Sequence, residues 1–397
     1  MNKKIPLGLA IAFAAICCTI TAVFTSNISL GIFNDSVKDV KERAEIYEKL
    51  DNIDAYVRQY YFGETNQDKL IDSLSAGYLS VLDDKYARYR TAAENEKEKK
   101  EDSGVMVGIG VSVQKDESGY ILVDSVFENS PAEELGIVPG SLIVSVDEKD
   151  VLTEGYENSV KKIQGAVGSS VTLIVRVDGE DSEITLARRE IEIISVTGRM
   201  IDDLGYIKIT AFNEKTSDQF IDMVSSLIEE GAKGLIFDVR NNPGGLLTPT
   251  LEMVDYICPE GVIASATYKD GKKVTLGKSD SKEINMPMTV LVNSNSASAS
   301  ELFSSALRDF DKAHLVGETT FGKGIMQETF QLSDGSSITI TTAKYQTLKT
   351  ANFDGIGLNP NYEVIVENDT DADLKKLDET TDTQLKKAIE VLNATIE

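Results

Sequence analysis

The sequence contains very little histidine and cysteine, and this scarcity limits the chemistry open to it. Its 397 residues include one histidine, His314, and three cysteines. Cys17 and Cys18 lie in an apolar N-terminal stretch and Cys258 stands alone, so no disulfide framework is expected in the remainder. Histidine and cysteine also do not recur at the spacing of a metal site. We therefore expect neither a metal ion nor another cofactor.

Basic residues are too few for a protein that binds nucleic acid. Lysine and arginine total 40 against 65 acidic residues, which gives a formal net charge of −25 at pH 7. A chain of this charge repels phosphate groups, and its acidity indicates a well-hydrated surface. Because 41% of the residues are apolar, the chain is long enough to form two or three domains with separate cores.

A long uncharged stretch, residues 5–34, follows Lys3 and Lys4. Its strongly apolar part, residues 5–24, is about long enough to cross a bilayer as a helix. A cleaved signal peptide usually has a shorter apolar region and a small-x-small site, which is not evident near residues 21–26. We therefore favour an uncleaved, single-pass anchor in the cell membrane. With either interpretation the rest of the chain lies outside the cytoplasm, and cleavage would make it a secreted protein.

The pattern from residue 36 to about residue 90 is helical, because apolar positions recur three and four residues apart between charged ones. The apolar positions are Ile46, Leu50, Ile53, Val57 and Tyr60. Such a helix either packs on its own domain or pairs with a partner helix, since the spacing is close to a heptad. The charge-rich residues 91–102 are interpreted as an exposed connector or a helix end.

Short apolar runs separated by turns predict a β-rich domain at residues 104–190. We expect strands at residues 105–113, 120–126, 142–146, 171–177 and 183–187, with helices after Ser130 and at residues 156–163. Val107, Gly108, Ile109 and Gly110 form a candidate anion-binding loop, because glycines expose backbone N–H groups. A Gly-x-Gly in a strand can equally mark only a bulge.

Strand and helix patterns alternate from about residue 191, which predicts a layered α/β domain. A strand at residues 205–210, a helix at 217–230 and a strand at 234–239 form one β-α-β unit. The sequence Asn-Pro-Gly-Gly, residues 242–245, follows the last of these strands. Active sites of α/β sheets favour this carboxyl edge, although the four residues alone are also typical of an ordinary tight turn.

The segment from Met288 to Gln327 carries the candidate reactive groups. Its pattern predicts strand, turn and helix, with Ser298 in the turn. Unpaired N–H groups and the helix dipole favour developing negative charge there, so Ser298 is a candidate nucleophile. Ser298 and Glu301 also match a capping box, in which the serine only caps the helix.

Two residues are candidates for the base that such a serine requires. His314 is the single histidine, and a lone histidine at the start of a strand is more often structural. Lys323 lies between two glycines, and burial among apolar neighbours would lower its pKa enough to make the neutral amine available. Gln327 follows four residues later and would orient the amine if both side chains faced the same side of a strand.

Two motifs together resemble those of the C-terminal processing peptidases, also called tail-specific proteases. They are Asn-Ser-Ala-Ser-Ala-Ser-Glu at residues 295–301 and Thr-Phe-Gly-Lys-Gly-Ile-Met-Gln at residues 320–327. The resemblance implies that Ser298 is the nucleophile, Lys323 the general base and Gln327 the residue that holds the lysine.

The same resemblance extends to other parts of the chain. It implies that N–H groups of Gly244 and Ala299 form an oxyanion hole and that residues 104–190 are a PDZ domain, whose loop from Val107 to Gly110 binds a peptide carboxylate. It also implies that the N-terminal helices mediate dimerisation. The family usually has glycine at the position of Asn295, a mild departure because asparagine tolerates positive φ.

We therefore expect a multi-domain α/β protein. It has an N-terminal membrane segment (residues 1–34), a helical region that allows a homodimer (35–103), a PDZ domain (104–190), a layered Ser/Lys peptidase core (191–365), and an acidic linker with a C-terminal helix (366–397). Its expected activity is that of a membrane-anchored, extracytoplasmic serine endopeptidase. Its substrates are proteins or peptides with unstructured C-termini, and its PDZ domain binds their tails and gates cleavage.

Two other functions remain open. The first is a proteolytically inactive PDZ scaffold or adaptor, which the intact serine and lysine motifs disfavour. The second is an α/β enzyme that acts on acyl thioesters, which would leave the PDZ-like domain without a purpose.

Overall fold

The structure of the protein, a computed structural model, describes residues 40–366 and 380–396. The chain divides into two compact units, one ending at Leu74 and the other beginning at Ser75. The predicted membrane anchor, residues 1–34, lies outside the described residues, as does most of the predicted acidic linker. Within the described ranges, no helix combines the length and apolar character needed to cross a membrane.

The described part of the first unit is helical. Helix α1 occupies residues 40–60, and most of helix α2 (Gln67–Leu79) follows a break at residues 61–66. The apolar spacing predicts α1 correctly, yet many of these side chains are exposed, among them Ile53 and Tyr60. The rings of Tyr56 and Tyr60 stack with 6.2 Å between their centroids. The apolar face of α1 therefore stays largely exposed.

The sequence predicts helix as far as about residue 90, and this prediction is wrong at its end. Arg88–Arg90 form strand β1, which pairs antiparallel with strand β18 (Ser337–Thr347). The pairing places Arg88 opposite Thr339, a residue far away in the chain. Local periodicity carries no information about such a distant partner.

Residues 91–102, expected to be a connector or a helix end, form helix α3 (Ala92–Asp102). Thr91 caps this helix: its Oγ1 accepts from the Glu94 N–H, and its own N–H donates to the Glu94 carboxylate. Asn95 is buried, and its Nδ2 donates to Gln331 Oε1 at 2.7 Å. This segment is therefore a capped helix attached to strand β17 (Ile325–Gln331).

The β-rich domain contains a sheet with the strand order β3-β4-β5-β7-β8, and β6 pairs with β5. A separate ribbon of β2 and β9 leads into and out of this sheet. Ile121, Ile143 and Leu173 lie at the centre of its core. The elements are β2 (Val105–Gly108), β3 (Val111–Lys115), β4 (Ile121–Val126), α4 (Pro131–Glu134), β5 (Leu142–Val146), β6 (Lys149–Asp150), α5 (Val151–Glu154), α6 (Tyr156–Ile163), β7 (Ser170–Val177), β8 (Glu180–Ala187) and β9 (Arg189–Glu192).

The first predicted strand of this domain, residues 105–113, is two strands in the structure. β2 ends at Gly108 and pairs with β9, whereas β3 begins at Val111 and pairs with β4. Gly110 lies between them with a φ of +85°, a conformation that glycine adopts without steric cost. The chain therefore changes sheets at this point.

The core domain is a layered α/β structure, as the sequence predicts. Its main sheet has the order β10-β11-β12-β15-β16-β19, and the strands are parallel from β11 onward. The elements are β10 (Val196–Ile201), β11 (Leu204–Ile209), α7 (Thr216–Glu229), β12 (Gly234–Asp238), α8 (Leu247–Ile257), β15 (Met288–Val292), α9 (Ala299–Asp309), β16 (Ala313–Gly317), β19 (Tyr362–Glu363) and α10 (Thr383–Ile396).

Alternate residues of the central strands face two different helical layers. Phe237 packs with Phe220 of α7 and Phe303 of α9, and the three ring centroids are 5.4 to 5.9 Å apart. Ile236, the neighbouring residue on β12, packs in the opposite layer with Leu385 of α10. Burial on both faces explains why these parallel strands are almost continuously apolar.

A second sheet covers the helical layer that contains α9. Its order is β1-β18-β13-β14, with β17 also paired to β18, where β13 is Gly261–Tyr268 and β14 is Lys273–Ser279. The predicted hairpin around residues 333–336 is present as β17 and β18. Tyr345 of β18 belongs to the same hydrophobic core as the α9 side chains.

Buried charges attach helix α10 to the loop after β12. The Arg240 guanidinium is almost fully buried, donates to both carboxylate oxygens of Asp238, and lies 2.8 Å from Asp382 Oδ2. Its Nη1 also donates to Gln384 at 3.0 Å. Burial acts to raise the pKa of Asp238, but the charges of Arg240 and Lys208 hold that pKa below its usual value. The C-terminal helix is therefore joined by ion pairs to the segment that leads into Gly244.

Replacing Asp382 with alanine should lower the free energy of unfolding by about 3 kcal/mol, because Arg240 loses one partner in a buried site. Urea denaturation followed by circular dichroism measures this change. Asp203→Ala is the matched control, since the ion pair of Asp203 with Lys233 is exposed and should contribute less than about 1 kcal/mol. An equal decrease in the free energy of unfolding of the two variants would contradict a larger contribution from the buried pair.

Candidate active site

Ser298 lies where the chain passes from β15 into α9, as the sequence predicts. Its backbone has φ +55° and ψ −112°, a combination that is strained for any residue with a side chain. An ordinary helix cap has an extended backbone, so capping alone does not account for this geometry. The Ser298 N–H donates to Glu301 Oε2 at 2.9 Å. Ser298 is therefore an N-cap residue held in a strained conformation.

Lys323 lies in an irregular segment, residues 318–324, between β16 and β17. The Lys323 N–H donates to Glu301 Oε2 at 2.8 Å, and Gly322 N–H and Thr320 Oγ1 donate to Glu301 Oε1 at 2.7 and 2.5 Å. The buried carboxylate of Glu301 thus fixes this segment against the first turn of α9. The loop at residues 352–358 supports its other side, for example through Gly355 N–H and the Gly322 carbonyl.

The surroundings of the Lys323 amine lower its pKa. Burial is the largest cause and lowers the pKa of Lys323, the positive charges of Arg88 and Lys85 lower it further, and the negative charges of Glu301 and Asp84 act in the opposite direction. The amine lies 4.4 Å from the centroid of the Tyr86 ring. A lysine whose pKa is lowered supplies a neutral amine closer to physiological pH.

Ser298 and Lys323 line one cavity of about 470 Å³. Its walls are apolar near the serine and charged near α3, and they include Leu246, Leu302, Met326, Arg90 and Glu98. Within the described part of the chain, Ser298 Oγ and Lys323 Nζ share no direct hydrogen bond. Catalytic hydrogen bonds are often longer before substrate binds, so the lack of a direct bond is compatible with a reactive pair.

Gln327 also lines the cavity, but it does not bond to Lys323. Its Nε2 donates to Thr341 Oγ1 at 3.2 Å. Gln327 and Lys323 would face the same side only in one continuous strand, whereas β17 begins at Ile325 and is irregular between Met326 and Gln327. The two side chains therefore do not share the face of one strand, and the role of Gln327 stays a prediction.

Gly244 and Ala299 lie close together, as an oxyanion site requires. A Cβ atom on Gly244, whose φ is +104°, would be 2.9 Å from the Ala299 nitrogen, so only glycine fits there. The Gly244 N–H donates to Asn242 Oδ1 at 2.9 Å, whereas Ala299 is the first residue of α9 and its N–H faces no intrahelical acceptor. Gly245 lines the cavity and is a neighbouring candidate that the sequence did not single out.

Three asparagines connect the two loops that meet at Ser298. Asn241 Oδ1 accepts from Asn293 Nδ2 at 2.7 Å and from Asn295 Nδ2 at 2.9 Å. Asn295 is not among the residues with positive φ. Asn295 therefore does not need the left-handed backbone conformation that glycine allows. Its side chain instead makes a hydrogen bond to Asn241.

His314 does not line this cavity. It lies on β16 with an exposed side chain, and its ring meets the Tyr362 ring edge-on at 5.7 Å. The described residues contain no cluster of histidine, cysteine and acidic groups that could hold a metal ion. The structure therefore groups Ser298 with Lys323 and separates it from the histidine.

The predicted carboxylate loop lies at the junction of β2 and β3. Val107 and Gly108 belong to β2, whereas Ile109 and Gly110 lie between the strands, and the N–H groups of the latter two donate no hydrogen bond within the described residues. β3 is at the edge of its sheet, where a peptide strand can be added. The Tyr156 hydroxyl donates to the Val113 carbonyl at 3.3 Å on this strand.

Comparisons with known proteins match most of the chain. Residues 203–364 match the model of Peptidase family S41, and residues 122–177 match the PDZ domain model. Carboxy-terminal processing protease CtpA of Bacillus subtilis (strain 168) is 33% identical over 352 residues, which cover 87% of this chain and 74% of that protein. "Probable CtpA-like serine protease" of Staphylococcus saprophyticus is 31% identical over 361 residues, which cover 90% and 72%. One solved structure, the photosystem II D1 C-terminal processing protease, is 26% identical, with coverage of 79% and 85% and a TM-score of 0.47.

Arg88→Gln should raise the pKa of Lys323, because it removes a like charge from the vicinity of the amine. At pH 8 the rate of acetylation of Lys323 should then fall by roughly twofold, the scale of an exposed charge interaction. Peptide mass spectrometry after brief treatment with acetic anhydride, repeated across a pH series, measures this rate. Arg176→Gln, in the β-rich domain, is the control and should leave the rate unchanged. Faster acetylation in Arg88→Gln would contradict the assigned cause of the pKa shift.

Proposed function

The chain belongs to peptidase family S41 and is a serine-type peptidase of the C-terminal processing kind, and from this membership we propose that Ser298 is its nucleophile and Lys323 its general base. One observation carries the proposal. A serine in a strained backbone conformation and a lysine with a lowered pKa line the same cavity. Gln327 lines the cavity as well and is proposed to orient the amine once it turns away from Thr341.

The proposed reaction begins with the neutral amine of Lys323. It accepts the proton of Ser298 Oγ while Oγ bonds to the carbonyl carbon of the scissile peptide. The ammonium then gives this proton to the leaving nitrogen as the C–N bond breaks, which leaves an ester on Ser298 and releases the C-terminal fragment. Water, deprotonated by the same amine, attacks the ester, and the proton returns to Oγ as the acid product leaves.

Negative charge develops on the former carbonyl oxygen in both steps. The N–H groups of Ala299 and Gly244 are proposed to bind this oxygen, and removal of one such donor typically costs about 3 kcal/mol of transition-state stabilisation. Gly244 has to release Asn242 Oδ1 before it can donate. Lys323 likewise has to turn from the Tyr86 ring toward Ser298. Substrate binding is proposed to drive both changes.

The PDZ domain is proposed to bind substrate tails and to gate cleavage. The free N–H groups of Ile109 and Gly110 suit a terminal carboxylate, and the edge strand β3 suits an added peptide strand. The domain joins the core beside the cavity. The Ile193 N–H donates to the Gly104 carbonyl, and the Glu214 N–H donates to the backbone carbonyl of Asp102, a residue that lines the cavity. A tail bound to this domain is therefore held near Ser298 at a high effective concentration.

The location and assembly of the enzyme are also proposals. Residues 1–34 are proposed to anchor it in the cell membrane with the peptidase outside the cytoplasm. The exposed apolar face of α1 supports a homodimer through helix pairing. The alternative of a proteolytically inactive PDZ scaffold is disfavoured by the match of residues 203–364 to Peptidase family S41.

Ser298→Ala and Lys323→Ala should each reduce cleavage of an unstructured protein such as β-casein by at least about a thousandfold, and the double variant should be no worse than either. Both residues serve the same step, so their effects do not add. Intact mass spectrometry of the soluble portion, residues 40–397, follows the products. His314→Ala is the matched control and should keep near-normal activity. Substantial proteolysis by Lys323→Ala would refute the assignment of the base.

Amidation of a model peptide's C-terminus should lower its cleavage by roughly tenfold, because the loop from Val107 to Gly110 loses a charged ligand. Deletion of residues 104–190 separates the two roles of the domain. A higher basal rate after deletion indicates gating, and a higher KM alone indicates delivery. Equal cleavage of the free and amidated peptides together with unchanged activity after deletion would leave the domain with neither role.

A further inference from the structure

The side chains of Glu301 and Tyr345 each form hydrogen bonds with the backbones of both Ser298 and Lys323. Glu301 Oε2 accepts from the Ser298 N–H at 2.9 Å and from the Lys323 N–H at 2.8 Å. The Tyr345 hydroxyl lies 3.0 Å from the Ser298 carbonyl oxygen and 2.9 Å from the Lys323 carbonyl oxygen. Each of the two residues is therefore held at its N–H by the carboxylate and at its carbonyl by the phenol.

We propose that Glu301 and Tyr345 are positioning residues, and that together they form a backbone clamp that sets the separation of nucleophile and base. The proposal rests on the proposed function of Ser298 and Lys323. It concerns the peptide groups of these residues and assigns neither Glu301 nor Tyr345 a part in proton transfer.

The need for such a clamp follows from the elements that carry the two residues. Ser298 follows β15 of the main sheet, whereas Lys323 lies in an irregular segment before β17 of the second sheet. Among the described residues, no strand ladder joins the two positions, and the backbone of Ser298 is strained. Errors of about 1 Å in the placement of reacting groups can cost about a hundredfold in rate. Hydrogen bonds that act on both backbones at once supply the missing constraint.

Burial fits both side chains to this role. Glu301 is fully buried, and its Oε1 is occupied by Thr320 and Gly322, so the carboxylate is satisfied by four donors. Tyr345 is almost fully buried, and this burial raises its pKa well above the usual value. The phenol therefore keeps its proton across the working pH range and shares it between the two carbonyls. A group that does not ionise suits positioning and is unsuited to act as a base.

The first test compares Tyr345→Phe with Thr347→Val. Thr347 is buried on the same strand and also donates to α9, but its partner is Asp309 at the far end of that helix. Both variants lose one buried hydroxyl, so both should lower the melting temperature. Only Tyr345→Phe removes a bond to Ser298 and Lys323.

We expect kcat for a peptide substrate to fall by about ten- to a hundredfold in Tyr345→Phe, with KM within about twofold of wild type. The rate at which a fluorophosphonate probe labels Ser298, corrected for the folded fraction, should fall in parallel. In Thr347→Val both rates should stay within about twofold of wild type. The clamp proposal is refuted if Tyr345→Phe keeps the kcat and labelling rate of wild type. It is also refuted if Thr347→Val shows the same decrease in kcat and labelling rate as Tyr345→Phe.

A second test uses Glu301→Gln alone and combined with Tyr345→Phe. Both groups act on the same pair of residues. The fold-decrease in kcat of the double variant should therefore be smaller than the product of the fold-decreases of the two single variants. A fold-decrease in kcat equal to the full product of the two single fold-decreases would contradict a joint clamp. If Glu301→Gln does not yield folded protein, the comparison of Tyr345 with Thr347 decides alone.

Ser298→Ala belongs in the same series, because it separates two kinds of failure. Proteolysis by Ser298→Ala would refute the proposed function itself. An inactive Ser298→Ala beside a fully active Tyr345→Phe would refute only the clamp.

Discussion

The site depends on Glu301, a fully buried carboxylate at the N-terminus of a helix. A charge without solvent is costly unless it is fully hydrogen-bonded, and here four donors satisfy it. The positive end of the helix dipole adds to this stabilisation. The donors come from the turn before α9 and from an irregular segment about twenty residues later, so the carboxylate can be satisfied only when both segments have folded against it. One solvation requirement thus couples a helix cap to the loop that carries Lys323.

Elements with strong local signals are predictable from the sequence. The β-α-β unit that ends at Asp238, helix α6 and the hairpin of β17 and β18 lie within a few residues of their predicted positions. The failures share a cause, which is pairing between distant parts of the chain. Strand β1 exists because of β18, and β2 separates from β3 because its partner is β9. Local periodicity contains neither fact.

The sequence predicts the candidate nucleophile and base of the site, but not the contacts of the residues that surround them. The resemblance of two motifs to those of a peptidase family predicts Ser298 as nucleophile and Lys323 as base, and both line one cavity in the structure. The orientation of Gln327 was not predictable, because it depends on where β17 begins and on an irregularity in its pairing. Glu301 is recognisable as a cap but not as a partner of Lys323. Tyr345 lies on a separate strand, and its contacts with both peptide groups have no counterpart in the sequence pattern.

The ion pair between Arg240 and Asp382 has a consequence for the order in which the protein matures. The ribosome adds Asp382 142 residues after Arg240, so a growing chain contains the loop that leads to Gly244 long before it contains α10. Until α10 docks, Arg240 lacks one of its two carboxylate partners, and one face of the main sheet lacks the cover that Leu385 supplies. The loop beside the serine therefore reaches its final support only after another 142 residues have been made. A nascent chain therefore passes through an interval in which the loop that leads to Gly244 has been made but still lacks the support of α10.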